Sequence, residues 1–344
     1  MKNRLEYIDS IRGVAALIVF FYHALLMFDI HVNLVDIGRI GVVIFFIVSG
    51  VVIPWSLKES RAGAIKNFII KRFFRLYPVY WASILFAVLL YVFMPDVTGW
   101  SHGGIEVSSA EQVLINLTMI QKALGYENVI GAFWTLFIEL CFYFVCVFSF
   151  YFGFLHHYKA KFKLLILFSL IALLGGFLKY YYTLKLPIIL PLSLSIMFYG
   201  AILSETIEKN SILFCKKNLI PLFFFFLILF FTMIFNYGDG WLKWFNTYLI
   251  SFISCVLLLT YFKIHNHVLL FLGKISYSFY LLHAPILVAL YSAFFHFVQD
   301  ITLLSIFIFI LSSLIVTVII SYYSFVHVEL RFTKLAHIYT KKKL

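Results

Sequence analysis

The chain has 344 residues, of which 63% are hydrophobic and only 12% are charged, and its mean hydropathy is +1.01. A soluble domain is about half apolar and about a quarter charged, so a soluble protein of this size could not bury so much apolar surface. The composition excludes disordered chains, disulfide-rich secreted scaffolds and soluble enzymes, and it predicts a membrane protein with several spans.

The formal charge is +12, from 27 Lys and Arg residues against 15 Asp and Glu residues. In a soluble protein this excess would favour nucleic acid, but in a membrane protein basic residues collect in cytoplasmic loops. We therefore expect membrane lipid, and no nucleic acid, among the partners. The four cysteines lack metal-ligand spacing, so we expect no metal site.

Ten apolar runs are long enough to cross a hydrocarbon core of about 30 Å, which takes roughly 20 helical residues. The runs do not alternate with period two, so they predict an all-α, polytopic membrane helical bundle and not a β-barrel. They cover approximately residues 11–29, 38–55, 76–94, 132–152, 163–182, 187–204, 217–236, 244–262, 271–291 and 302–326. We expect residues 1–344 to form a single membrane domain with no appended soluble domain.

Basic residues divide unevenly between alternate loops. The termini and the loops on their side hold 22 of the 27 Lys and Arg residues, and the loops on the other side hold 5. This bias predicts that both termini are cytoplasmic, which agrees with an even number of spans. We expect a multi-pass protein of the cytoplasmic (inner) membrane.

The longest predicted external loop covers about residues 95–131. Within it, Ser108-Ser109-Ala110-Glu111 has the pattern of a helix start. The apolar residues on one face of this helix would be Val113, Leu114, Leu117 and Ile120. We expect a short helix that lies at the outer surface.

Ionisable side chains are rare within the predicted spans, and each is a candidate site residue because lipid disfavours unpaired charge. The clearest are His23, Glu139 and His283. With a helical rise of about 1.5 Å per residue, all three lie roughly 10–12 Å below the outer edge. The similar depth favours one shared polar cavity.

An imidazole suits general-base activation of a hydroxyl, and a nearby carboxylate can fix its tautomer. We therefore expect His23 to abstract a proton, with Glu139 as its supporting catalytic group. Arg12 lies on the same helix face as His23, and Asp9 can orient its guanidinium through an i,i+3 ion pair. The motifs of serine and cysteine acyl-enzymes are missing.

Three cations occur within five residues just before the third span, at Lys71, Arg72 and Arg75. Arg72 and Arg75 share a face if the helix begins early, and guanidinium forks bind phosphate oxygens bidentately. We expect this segment to bind a phosphorylated cofactor. The alternative is an anchor that follows the positive-inside rule and contacts lipid headgroups.

The other candidates also have structural alternatives. Arg12 can be an anchor at the inner surface, and His23 and Glu139 can form hydrogen bonds to neighbouring helices. His283 can serve the backbone that is kinked before Pro285.

Five motifs occur in a consistent order along the chain. The first is Tyr7–Ala16 followed by His23, which gives an Arg-x10-His spacing. The others are Phe45–Gly50, Arg72–Pro78, Phe133–Tyr143 and Leu272–Pro285. Together they resemble the integral-membrane acyltransferases called acyltransferase family three, from about residue 4 to about residue 330.

The resemblance implies ten spans and the transfer of an acyl group, usually acetyl, from cytoplasmic acyl-CoA to a hydroxyl of a cell-envelope glycan or lipid-linked saccharide. It implies acetyl-CoA as donor substrate, His23 as catalytic base, and Arg12 on the donor side with Arg72 and Arg75. Further site candidates are Asp9, Trp134, Ser276, Tyr277 and His283. Direct transfer and a covalent acyl-histidine both remain open.

The chain departs from the family near its end. The family often has an acidic residue, a basic residue and a proline after the last span, but Glu329-Leu330-Arg331-Phe332 has no proline. We therefore assign no role to Glu329. Many relatives also carry an extracytoplasmic hydrolase-like domain, so this chain either acts alone or needs a separate extracytoplasmic transferase.

A polytopic permease or flippase for an envelope glycan precursor is the alternative function. Ten spans with a polar cluster near the midplane also describe transporters, although no inverted repeat is visible in the sequence.

Overall fold

The structure is a computed structural model that describes residues 2–57, 63–94, 104–184, 186–208, 216–260, 264, 266–297 and 300–341. The α-helices within these ranges are α1 Lys2–Leu26, α2 Ile37–Ser56, α3 Ala64–Phe93, α4 Ala110–Asn116, α5 Trp134–Tyr151, α6 Tyr158–Tyr182, α7 Ile189–Glu208, α8 Lys216–Tyr237, α9 Trp241–Thr260, α10 His267–Phe297, α11 Leu303–Ser324 and α12 Leu330–Lys341. The described chain has no strand beyond one isolated antiparallel bridge. Residues 95–103 of the predicted external loop and residues 261–262 of the eighth predicted span lie outside the described residues.

The long helices follow the ten predicted spans in order. Among the described residues, nine segments are long and apolar enough to cross a membrane, and one of them, Asn218–Leu259, contains both α8 and α9. These two helices form an antiparallel hairpin. The ring of Phe230 lies 5.2 Å from that of Trp241, and the rings of Phe225 and Phe252 lie 4.9 Å apart. The predicted all-α, polytopic bundle is therefore confirmed, while the cytoplasmic placement of the termini stays a prediction.

The helices group into two compact units. The first unit comprises residues 1–15, 32–65 and 138–265, and the second comprises residues 16–31, 66–137 and 266–344. The single domain expected from the sequence stays a prediction.

In the first unit, α2 and α7 approach each other too closely for side chains to fit between them. A Cβ atom on Gly50 would lie 2.0 Å from the carbonyl oxygen of Met197, and one on Gly200 would lie 2.2 Å from that of Ile47. Small residues let helix backbones approach closely in membranes. This contact gives the last residue of the Phe45–Gly50 motif a structural role.

In the second unit, residues 104–131 form a loop whose ends pair with each other. Glu106 N donates a hydrogen bond to Val129 O, and Gly131 N donates one to Gly104 O. The helix α4 begins where the sequence predicts, because the Ser109 side chain accepts a hydrogen bond from the third residue of the helix.

The predicted apolar face of α4 is not its buried face. The buried residues of this helix are Gln112 and Asn116, whose side-chain amides both donate to Glu127 O, while Leu114 and Ile120 are exposed. The amides turn inward because an irregular backbone leaves buried peptide groups that need partners.

The predicted position of α4 at the outer surface is also wrong. Three side chains of α3 donate hydrogen bonds to consecutive carbonyl groups at the end of α4. They are Tyr80 Oη to Asn116 O at 2.7 Å, Trp81 Nε1 to Leu117 O at 2.9 Å and Tyr77 Oη to Thr118 O at 3.0 Å. Since Tyr77 precedes the end of α3 at Phe93 by about 24 Å of helical rise, the loop folds back along α3 toward its arginine-bearing end. We call residues 104–131 the re-entrant loop.

We expect Gly200→Ala to destabilise the protein, because the added methyl group would collide with the backbone of α2. Overpacking of this kind lowers the free energy of unfolding by about 1–3 kcal/mol or more. Thermal unfolding of the purified protein in detergent measures the effect. Gly240→Ala is the matched control, since nothing lies within 4 Å of its added Cβ. Equal melting temperatures for both variants would contradict the close contact.

Candidate active site

His23 lies on α1 and is half-buried. Its Nδ1 atom lies 3.0 Å from the carbonyl oxygen of Val19, one turn earlier on the same helix. A carbonyl oxygen can only accept a hydrogen bond, so Nδ1 carries the hydrogen, and in the neutral ring Nε2 carries the lone pair. The geometry therefore makes Nε2 the atom of His23 that can accept a proton.

His283 lies on α10 and is buried, with 1% of its surface exposed. Its Nδ1 atom lies 2.7 Å from Tyr280 O, and its Nε2 atom lies 3.2 Å from His23 Nδ1. By the same reasoning, its hydrogen is on Nδ1 and its lone pair on Nε2. The Nδ1–H of His23 is thus shared between Val19 O and His283 Nε2. The structure brings together two histidines that the sequence places only at similar depth.

Tyr280, which is not among the predicted site residues, joins the histidine pair to the segment that follows the re-entrant loop. Its Oη atom lies 2.9 Å from Thr135 Oγ1 and donates a hydrogen bond to Ala132 O at 3.1 Å. The one sequence signal was its spacing, since a residue three positions before His283 has its carbonyl within reach of the ring.

The predicted candidates Ser276 and Tyr277 lie earlier on α10. Tyr277 Oη donates a hydrogen bond to Leu76 O at 2.8 Å, next to Arg75 in the chain. Ser276 is buried, and its hydroxyl has no hydrogen-bond partner among the described residues. Tyr277 and His283 are separated by about 9 Å of helical rise, so the arginine segment and the histidine pair are near each other along α10.

Arg72 and Arg75 are half-buried on α3, and Lys71 beside them is exposed. The guanidinium of Arg72 lies 5.4 Å from the ring centre of Phe68, in a cation–π contact. Between the arginines, Phe74 stacks on Phe332 and Tyr339 of α12, with ring centres 6.3 Å and 5.8 Å apart. The C-terminal helix therefore packs against α3 at the predicted phosphate-binding segment.

The predicted site residues Asp9, Arg12 and Glu139 belong to the first unit, whereas Trp134 begins α5 in the second unit. The predicted ion pair forms, with Arg12 Nη1 at 3.8 Å from Asp9 Oδ1. Glu139 is half-buried and accepts a hydrogen bond from the hydroxyl of Tyr143, one turn later on α5. The expected support of His23 by Glu139 stays a prediction.

Glu329 is a residue to which the sequence analysis assigns no role. It is buried in the π-helical segment Phe325–Glu329, and the Ser278 hydroxyl donates a hydrogen bond to it at 3.0 Å. Such segments occur often at functional sites, and a buried carboxylate in a membrane domain is a site candidate in its own right. Because no proline follows Arg331, the family pattern does not identify Glu329 in the sequence. Among the described residues, no three His, Cys, Asp or Glu side chains are grouped so that they could hold a metal ion.

A family model described as an acyltransferase domain matches residues 5–323, from α1 into α11. The chain belongs to acyltransferase family 3. The resemblance seen in its motifs is thereby confirmed, and the protein is a membrane acyltransferase. No curated protein and no solved structure matches this acyltransferase.

In this acyltransferase we expect Tyr277→Phe to lower the melting temperature in detergent. The change removes the hydrogen bond to Leu76 O, which is worth about 1 kcal/mol. Tyr151→Phe is the matched control because Tyr151 is exposed. If both variants melted at the wild-type temperature, the bond would contribute nothing to the stability of the second unit.

Proposed function

We propose that the protein is an O-acyltransferase of the cytoplasmic (inner) membrane. It would transfer an acyl group, acetyl in the first instance, from cytoplasmic acyl-CoA to a hydroxyl of a cell-envelope glycan or lipid-linked saccharide. The family supports acyl transfer. The observation that carries the proposed chemistry is the hydrogen bond from His23 Nδ1 to Val19 O, because it makes Nε2 the proton acceptor.

In the proposed reaction, His23 Nε2 takes the proton of the acceptor hydroxyl while the hydroxyl oxygen attacks the thioester carbonyl. The tetrahedral intermediate collapses, the carbon–sulfur bond breaks, and the CoA sulfur leaves with its electron pair. The imidazolium then returns its proton to the sulfur, which gives the ester, free CoA and neutral His23. In the alternative route, Nε2 itself attacks the thioester to form an acyl-histidine.

The proposed donor site lies at the arginine-bearing end of α3. CoA carries several phosphate charges, and the guanidinium groups of Arg72 and Arg75 can bind phosphate oxygens bidentately. Lys71 adds an exposed positive charge beside them. Arg12 stays a further candidate for donor binding on the family resemblance alone. The rise of about 9 Å from Tyr277 to His283 is shorter than an extended pantetheine arm, which supports a thioester placed at the histidine pair.

We expect His23→Ala to lower the turnover of acetyl-CoA by about 100-fold or more, because general-base catalysis typically contributes 10²- to 10⁴-fold. Glu139→Gln should reduce turnover less, since the amide preserves part of the hydrogen bonding. The release of free CoA by purified protein in detergent, with an envelope glycan as acceptor, measures both. His267→Ala is the matched control, because this histidine is exposed at the start of α10. Full activity in a folded His23→Ala variant would overturn the mechanism.

We expect Arg72→Ala and Arg75→Ala each to raise the KM for acetyl-CoA by about 10-fold or more, because hydrogen bonds between charged groups are worth about 1.5–3 kcal/mol. Arg72→Lys should have an intermediate KM, since lysine keeps the charge and loses the fork. Lys163→Ala removes an exposed positive charge from α6 and serves as control. An unchanged KM in both folded alanine variants would identify the segment as a lipid anchor.

The acceptor and the need for a partner are tested in cells and with purified protein. Envelope glycans from cells with and without the gene should differ in acetyl signals in NMR spectra, and identical spectra under confirmed expression would contradict a glycan acceptor. CoA release that requires a second, extracytoplasmic protein would identify a separate transferase. Counterflow of an intact solute without CoA release would favour the permease or flippase.

A further inference from the structure

We propose that His283 is a positioning residue for His23: it accepts the Nδ1–H of His23 and stabilises the positive charge that forms when His23 takes up a proton. In a Ser-His-Asp triad a carboxylate has this role. Here a second imidazole, from α10, faces Nδ1 of His23 as the carboxylate does in such a triad. The catalytic half of this inference rests on the proposed function, whereas the hydrogen-bonded pair does not.

The direction of the hydrogen bond follows from the partners of both rings. Tyr280 O can only accept, so the hydrogen of neutral His283 is on Nδ1, and its Nε2 presents a lone pair to His23. Val19 O can only accept as well, so His23 presents Nδ1–H. In the opposite tautomer of His23, its Nδ1 lone pair would face two acceptors and both hydrogen bonds would be lost.

His283 itself is held by its surroundings. Its ring lies nearly parallel to that of Phe279, with an interplanar angle of 8° and ring centres 6.4 Å apart, and Phe279 packs in turn against Phe20 of α1. Together with the bond to Tyr280 O, this packing fixes the direction in which Nε2 points. The ring of His283 is 1% exposed and His23 is half-buried, so His283 acts through His23 and not on the acceptor.

The pair becomes more strongly bonded as the reaction proceeds. When Nε2 of His23 accepts the acceptor proton, the ring becomes an imidazolium, and its Nδ1–H donates a charge-assisted hydrogen bond to His283 Nε2. Such bonds are about twice as strong as those between neutral groups. Because the gain arises only after proton transfer has begun, it lowers the barrier and not the free energy of the bound substrates. The proton stays on His23 until the CoA sulfur takes it, so His283 begins and ends the cycle neutral.

The hydrogen-bonded pair can be tested without any substrate. Full-length protein labelled with ¹⁵N-histidine, in detergent at neutral pH, should give an NMR signal for an unprotonated His283 Nε2 that is coupled through the hydrogen bond to His23 Nδ1. His23→Ala should abolish that coupling and so assign it. A proton on His283 Nε2, or no coupling between the rings, would overturn the inference even if the enzyme transfers acyl groups.

The catalytic effect is tested by a pair of substitutions. We expect His283→Leu to lower kcat by about 10- to 100-fold, the value of a hydrogen bond to a charged group, with little change in the KM for acetyl-CoA. His283→Gln should recover most of the lost kcat, since its amide oxygen can accept from His23 Nδ1. His267→Leu, at the exposed start of the same helix, is the matched control.

The outcomes separate this inference from the proposed function. Wild-type kcat in a folded His283→Leu variant would overturn the positioning role, and so would a His283→Gln variant as slow as the leucine variant. A confirmed histidine pair in a protein that releases no CoA with any glycan acceptor would instead contradict the proposed function and leave the pair in place.

Discussion

A polar group in the apolar part of a membrane has no water to bind, so it needs a partner inside the protein. The second unit meets this requirement with bonds between distant parts of the chain. The carbonyls at the end of α4 bind side chains of α3, the Tyr277 hydroxyl binds Leu76 O, and His283 binds both Tyr280 O and His23. These bonds hold the candidate site together, and apolar packing surrounds them.

The same requirement explains which parts of the fold can be predicted from the sequence. Each span satisfies the hydrogen bonds of its backbone within its own helix and needs about 20 mostly apolar residues to cross the membrane. The ten spans can therefore be recognised in the sequence as long apolar runs. Local patterns are equally readable: Ser109 caps α4, and Asp9 pairs with Arg12 one turn away, because both depend on neighbours along the chain.

Other features depend on partners that no local pattern can reveal. Asn116 is bonded to a residue 36 positions away and His23 to one 260 positions away. The rule that apolar residues face inward fails for α4, since its buried face supplies amides to an irregular backbone. The sequence places Lys161 in a basic loop between two predicted spans. In the structure Lys161 is buried, with 3% of its surface exposed, and its Nζ atom lies 2.7 Å from Glu205 Oε1.

In the candidate site, too, the sequence reveals some features, whereas contacts between distant residues appear only in the structure. The sequence identifies His23 and His283 as ionisable residues at similar depth in apolar spans, where an unpaired charge is unfavourable. It does not reveal which side chains are in contact. A carboxylate is the partner that the sequence predicts for His23, by analogy with catalytic triads. In the structure, the lone pair of the His283 imidazole faces Nδ1 of His23. The buried carboxylate of Glu329 instead accepts a hydrogen bond from the Ser278 hydroxyl.

The attachment of the re-entrant loop to α3 has a consequence for its tolerance to sequence change. Its three bonds end on main-chain carbonyls, so the attachment does not depend on the side chains of Leu117 and Thr118. A substitution of Leu117 therefore leaves these three bonds in place, whereas Thr118 also bonds to Ile115 O and Ile120 N through its hydroxyl, and Asn116 also holds the loop through its own amide. Leu117, whose side chain is half-buried, is therefore suited to a fluorescent or spin label that reports on the contact between the re-entrant loop and α3.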